Sequence, residues 1–149
     1  MMTIMLRKAD ISDLNKLATM NKQLIEDERS RNTMNMDQLQ VRMRDWMTSD
    51  WEIDILCHSS DIVGYVLYQF HPYSNNLNPT DVYLRQYFIK REYRNQGYGR
   101  QGIELLLTER LQTVNTITIE VLETNPDGIR FWERVGFTSY SKAMKRYQN

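Results

Sequence analysis

The sequence offers little that would tie it to an oxidising compartment, a metal or a charged polymer. One cysteine, Cys57, stands among 149 residues. That excludes an internal disulfide framework and fits a reducing compartment, so a cytoplasmic location is expected. Two histidines are present, and no second His or Cys lies at ligand spacing from His58, so no metal is expected. No run approaches the ~20 apolar residues of a bilayer-spanning helix, and residues 1–7 lack the pattern of a signal peptide; no membrane partner is expected. Nineteen basic and nineteen acidic side chains cancel, which removes the electrostatic argument for nucleic acid. With three prolines and no repeat, linker or low-complexity segment, residues 1–149 read as one domain.

What is present is clear periodicity. Residues 3–7 read as a first strand. Asp10 caps the helix that follows, with Asp13 in capping-box position. Leu14, Leu17, Ala18, Asn21, Leu24 and Ile25 mark one face of that helix. It ends in Glu26-Asp27-Glu28-Arg29, acidic where the helix dipole favours cations. Carboxylates placed against that rule are either functional or simply a solvated helix end. Asn35 and Gln38 form a second capping box, and Leu39, Met43, Trp46 and Met47 give the next apolar face. Residues 51–57 and 62–70 read as a hairpin around Ser59-Ser60-Asp61, with Gly64 marking a bulge or a close backbone approach. Residues 71–80 form a loop bordering a substrate mouth. Residues 81–89 are a strand with Tyr83, Arg85 and Tyr87 on one face. A helix follows the glycines, then a strand over 116–122. Asn125-Pro126 starts the last helix, Gly136 ends it, and 137–147 supply one or two closing strands. The order is β-α-α-β-β-β-α-β-α-β, an α/β (α+β) domain.

One stretch concentrates the chemistry. From Phe88, Ile89, Lys90 and Arg91 the chain passes through Arg94, Asn95, Gln96, Gly97, Tyr98, Gly99 and Arg100 into a helical pattern. A strand turning through glycines into a helix N-terminus aims backbone N–H groups at one point and suits phosphate. Gly97-x-Gly99-x-x-Gly102 spells the dinucleotide fingerprint, but residues 90–96 separate it from its strand, and the room for a second half is short. A Walker loop would need Gly-Lys-Ser/Thr, and Gly99 is followed by Arg100-Gln101. A dinucleotide oxidoreductase is therefore the weaker enzyme reading.

Arg94-x-x-Gly97-x-Gly99 after a strand resembles the acetyl-CoA motif of the GNAT superfamily of N-acetyltransferases. A second match follows: Asn125, then Phe131-Trp132, then Gly136-Phe137, similar to the family's later motif. Each feature alone has a plain explanation as a turn, a cap or core packing; four in the right order are hard to attribute to chance. The resemblance covers residues 3–147. It implies a single-domain GNAT fold, with a mixed, mostly antiparallel sheet whose central parallel strands splay apart between flanking helices.

The resemblance also implies a function: acetyl transfer from acetyl-CoA to an amine of a small molecule or peptide, directly and without a covalent enzyme intermediate. Phe88 and Ile89 would pair with the pantetheine arm. Lys90, Arg94, Asn95, Gln96, Gly97, Tyr98, Gly99 and Arg100 would surround the pyrophosphate. Asn125, Phe131 and Trp132 would lie on the pantetheine side. Trp132 stands where many members carry the acidic Tyr, and indole cannot serve as an acid. Tyr83, Tyr87 and Tyr140 are the alternative hydroxyls; Glu26 and Asp27 are the expected amine-binding carboxylates, with Glu28 and Glu120 also in view. The departure at Trp132 keeps a non-catalytic acyl-CoA-binding module in contention. Dimers are common in the family, so a homodimer is compatible with the resemblance.

Overall fold

A computed structural model describes residues 3–70 and 81–148. Four strands, β1 (Met5–Lys8), β2 (Trp51–His58), β3 (Asp61–Phe70) and β4 (Asp81–Ile89), pair antiparallel in sequence order. A short fifth, β5 (Thr116–Thr118), pairs parallel to β4 and is the last strand described. The helices are α1 (Leu14–Asp27), α2 (Met36–Met47), α3 (Tyr98–Glu109) and α4 (Pro126–Arg134). The expected loop at 71–80 lies outside the described residues.

The helix starts form as their sequences dictate. Asp10 accepts from Ser12 N at 2.8 Å and Asp13 accepts from Asp10 N at 2.9 Å, closing a capping box around a single 3-10 turn that leads into α1. Asp13 also takes a two-pronged bond from the Arg7 guanidinium at 2.8 and 2.9 Å, which holds its carboxyl below the usual range. Asn35 and Gln38 reciprocate at 2.9 Å at the start of α2. α1 stops where Arg29 turns left-handed, at φ 55°.

Each face of the sheet carries its own core. Leu17 and Met20 of α1 and Met43 and Trp46 of α2 pack on Ile53, Ile55, Tyr65, Leu67 and Phe88. Ile103 and Leu106 of α3 pack on Leu56, Val66, Tyr68, Val82 and Leu84 of the other face. Full burial of such a side chain is worth about 1.5–3 kcal/mol, so α1, α2 and α3 are anchored by their apolar stripes. Asp54 is fully buried within the sheet, satisfied by the Tyr68 hydroxyl at 2.6 Å and the Arg110 guanidinium at 3.2 Å.

Two bulges shape the centre. Val63 is an extra residue opposite Leu56/Cys57. Beside it Gly64 lets β3 and β4 touch, since a Cβ there would lie 1.9 Å from the Phe88 carbonyl oxygen. The second extra residue is Arg85, because Leu84 faces Tyr68 and Gln86 faces Leu67. An inserted residue reverses the in–out alternation beyond it. Tyr83 and Arg85 therefore share the α1/α2 face with Gln86 and Phe88, while Tyr87 turns to the α3 face with Val82, Leu84 and Ile89. The expectation of Tyr83, Arg85 and Tyr87 on one face is corrected accordingly.

Two further expectations change. The strand foreseen over 116–122 ends at Thr118. No closing strand forms over 137–147. With β5 so short there is no continued edge for that segment to join, and its large side chains find no core. Tyr140 is 94% exposed and Met144 86% exposed. Its described contacts are peripheral: Lys142 on Glu123 at 3.2 Å, and Tyr147 under the Arg31 guanidinium at 4.3 Å.

Candidate active site

The parallel pair opens after three residues. β5 meets β4 only at Asp81, Val82 and Tyr83; beyond that β4 runs on to Ile89 while the chain after Thr118 leaves the sheet. Among the described residues, 84–89 thus have no strand neighbour on that side. At the far end of β4, a 3-10 turn (Arg91–Tyr93) leads to Asn95 at φ 60° and Gly97 at φ 85°. Such left-handed residues curl the backbone into a concave row of N–H groups. α3 starts directly behind Gly97, with no side-chain cap and no acidic residue in its first turn. Its partial positive charge is thus left without a carboxylate from its own turn.

The remaining glycines have steric reasons. A Cβ on Gly99 would lie 2.9 Å from the edge of the Phe131 ring, so α4 rests against the first turn of α3. A Cβ on Gly102 would lie 2.1 Å from the Tyr87 hydroxyl, which donates to Gly99 O at 2.6 Å. Tyr87 is wedged there between α3 and the rings of Phe131 and Trp132, at centroid distances of 6.1 and 5.7 Å, and burial pushes its phenol pKa up. Gly102 therefore serves packing, and the dinucleotide spelling of the three glycines lapses. Asn125 caps α4 by accepting from Gly128 N at 3.1 Å, with Pro126 at the first position. The indole of Trp132 packs on Phe131 at 5.0 Å and on Phe137 at 5.2 Å.

The acidic end of α1 reaches both sides of this opening. Arg91 bonds Glu26 at 3.2 Å and Asp27 at 3.0 Å; Arg94 bonds Asp27 at 2.6 Å. Arg94 also donates from Nε to Ile89 O at 2.8 Å and lies over the Phe88 ring. From the other side, the Thr124 hydroxyl donates to Glu28 O at 2.8 Å. Burial, then the charge of Asp27, raises the Glu28 carboxyl pKa above its ordinary value.

A second polar group lies on the α1/α2 face of β4. Arg42 of α2 donates to Asn21 Oδ1 at 2.7 Å, and the Tyr65 hydroxyl donates to Gln86 at 2.7 Å. The guanidinium carbons of Arg42 and Arg85 lie 4.6 and 5.1 Å from the centroid of the same Trp46 ring. Burial, then Arg85, pulls the Arg42 pKa down. Burial pushes the Tyr65 phenol pKa up, while Asn21 Nδ2 meets no acceptor in normal geometry, and neither does the buried Arg42 Nε.

The structure thus gathers Phe88, Ile89, Lys90 and 94–100 at one end of β4, with Asn125, Phe131 and Trp132 carried beside them on α4. Glu26 and Asp27 face the basic loop and are ion-paired to it. Tyr83 packs against Trp51 at 6.0 Å on the α1/α2 face. Tyr140 stands apart, almost wholly in solvent. Two shallow depressions are present among the described residues, of about 450 Å³ beside α2 at Met34, Val41 and Arg42 and of about 300 Å³ between α3 and the end of α4 at Arg100 and Gly136. Arg42 and Asn21 escaped the sequence reading. Asn21 looked like one more position of an apolar stripe, and the sole hint was that it is polar.

No curated protein matches the sequence. Among solved structures, a possible acetyltransferase from Clostridium difficile 630 superposes with a TM-score of 0.77 at 16% identity, over 99% of this chain and 98% of its own. A predicted acetyltransferase with acetyl-CoA from Clostridium acetobutylicum gives 0.75 at 16% identity, over 97% and 96%. The aminoglycoside N-acetyltransferase AAC(6')-Iy in complex with CoA gives 0.75 at 14% identity, over 97% and 94%. At such identities the likeness establishes the fold. Residues 19–137 match the model of the Acetyltransferase (GNAT) family. With the β4 edge opened at Tyr83, the glycine turn at its end and the Asn125 helix beside it, this match closes the case: the chain belongs to the GNAT acetyltransferase family.

Proposed function

We propose that this chain transfers an acetyl group from acetyl-CoA directly to an amine of a small molecule or peptide. The observation that carries this reading is the early parting of β5 from β4, with the uncapped start of α3 at the end of the same strand. When bound, acetyl-CoA supplies the activated acyl group as a thioester. Two structures with the same fold, from Clostridium acetobutylicum and of AAC(6')-Iy, contain acetyl-CoA and CoA.

The residues present fit that ligand. The open backbone edge at Phe88 and Ile89 would take the amides of the pantetheine arm, as a strand takes a neighbour. The N–H groups from Asn95 to Arg100 would take the pyrophosphate, with Lys90, Arg94 and Arg100 adding charge. Asn125, Phe131 and Trp132 would wall the pantetheine side.

Acyl transfer needs a neutral amine, a polarised carbonyl and a fate for the leaving thiolate's charge. Backbone N–H on the open edge of β4 serves the carbonyl. Glu28, with its raised pKa, is the base we favour for the amine proton, directly or through water; Glu26 and Asp27 orient the acceptor once the arginines turn to phosphate. Trp132 supplies no acid proton, and the Tyr87 hydroxyl is committed to Gly99. Of the three candidate hydroxyls, Tyr83 is the one on the α1/α2 face. A CoA thiolate also leaves with little help.

Thermal-shift titration with CoA and with NAD tests the donor half: CoA should raise Tm and NAD should not. Release of CoA thiol with a panel of amines tests the transfer. The absence of an acid at Trp132 favours a second reading, a non-catalytic acyl-CoA-binding module. Stabilisation by CoA without thiol release from any amine would favour that reading instead.

A further inference from the structure

We propose that the acceptor amine also carries an anionic group of the carboxylate class, held by Arg85 and Arg42 over the face of Trp46. This rests on the transfer reading above and names its substrate class. Two cations on one indole repel each other. Neither Arg42 nor Arg85 forms an ion pair among the described residues, whereas Arg91 and Arg94 nearby are both paired. Arg42 is also under-satisfied. Asn21 holds one of its terminal nitrogens, yet its buried Nε meets no acceptor. Asn21 itself is fully buried with Nδ2 short of an acceptor. Those two atoms are sealed inside the protein; Arg85 is exposed and Arg42 half-buried, so their outer guanidinium nitrogens are the donors a ligand can reach. A carboxylate is planar, carries two acceptor oxygens and matches the guanidinium fork.

The position suits an acceptor. Arg85 is the bulged residue of β4, two places beyond the last pairing with β5, and it lies over both Trp46 and Trp51. A carboxylate there would leave the rest of the molecule between α1 and α2 and the opened strands.

The test uses the full chain, acetyl-CoA, and the standard amino acids with a set of dipeptides, each beside its C-terminal amide, plus polyamines. At least one free acid should be acetylated with kcat/KM about tenfold above its amide. Arg85→Gln should raise the KM of that acid about tenfold with kcat little changed, and abolish the preference. Arg85 is exposed, so this variant should fold; an unchanged CoA-induced Tm shift checks it. Arg42→Lys, which keeps the charge and loses the fork, should give a smaller rise in KM. Amides or polyamines used as well as the acids, or an acid whose KM ignores Arg85→Gln, overturn the carboxylate proposal and leave acetyl transfer standing. Stabilisation by CoA with no amine acetylated overturns both.

Discussion

The two faces of β4 are built by different means. The α3/α4 face carries Val82, Leu84, Tyr87 and Ile89, and its chemistry at the end of the strand is mostly backbone: left-handed turns, a helix start, a capped Asn125. The α1/α2 face carries Tyr83, Arg85, Gln86 and Phe88, and its chemistry lies in side chains gathered from α1, α2, β3 and β4. Backbone sites need glycine, proline and capping residues at fixed offsets. Side-chain sites need only that distant positions meet. One bulge, at Arg85, decides which side chains meet on which face.

The sharpest way to break the contrast is to strike the contact that both faces share. Gly64→Ala places a Cβ against the Phe88 carbonyl, a backbone atom that cannot yield without parting β3 from β4. The expected loss is more than ~3 kcal/mol, read by urea denaturation, with both CoA binding and transfer lost. Gly102→Ala strikes the α3/α4 face alone. Its Cβ would meet the Tyr87 hydroxyl, so a loss of about 2 kcal/mol is expected. Tyr87→Phe in the same chain should recover part of it, and a double-mutant cycle measures that coupling. Asn125→Ala removes one cap, for about 1 kcal/mol, and should weaken CoA binding more than its stability cost alone implies.

The smallest expected effect separates two carboxylates by sign. Asp13 has a folded pKa below its ordinary value because of Arg7. It contributes stability above the unfolded pKa, and that is lost as pH falls through the folded one. Glu28 has a raised folded pKa, chiefly from burial. It costs stability as pH rises from its ordinary value through the raised one. At neutral pH Asp13→Asn should therefore lower Tm and Glu28→Gln should raise it. If Glu28 is the base, the second gain comes with loss of transfer, and the activity rise with pH should flatten.

Most elements were legible in the sequence because their signals are local. Both capping boxes, the hairpin, β4 to the residue, and the Asn125-Pro126 start are where the spacing puts them. What failed needed partners. Ile117, Ile119 and Val121 alternate as a strand should, but a strand exists only where a neighbour accepts its backbone, and β4 does so only as far as Tyr83. The segment after Gly136 failed for the same reason. Arg85 in an alternating run gave no sign of an inserted residue, so Tyr87 was placed on the wrong face. The residues gathered at the end of β4 are visible through motif order; the Asn21–Arg42–Trp46–Arg85 group is not, because no local rule links residues on α1, α2 and β4.

The acidic end of α1 has a consequence in proton traffic. Glu26 and Asp27 are now neutralised by Arg91 and Arg94, and Glu28 sits within the field of Asp27. A diphosphate that drew the two arginines away would leave three consecutive carboxylates with less compensation. The affinity of Glu28 for a proton would rise, because Asp27 would then act on it uncompensated. Donor binding would then be a proton-uptake event, its calorimetric heat changing with the ionisation enthalpy of the buffer. That dependence should shrink in Glu28→Gln. The same exchange would ready the site for a cationic amine, since Glu26 and Asp27 would no longer have their arginines. On this view donor and acceptor bind in order because they draw on one set of charges.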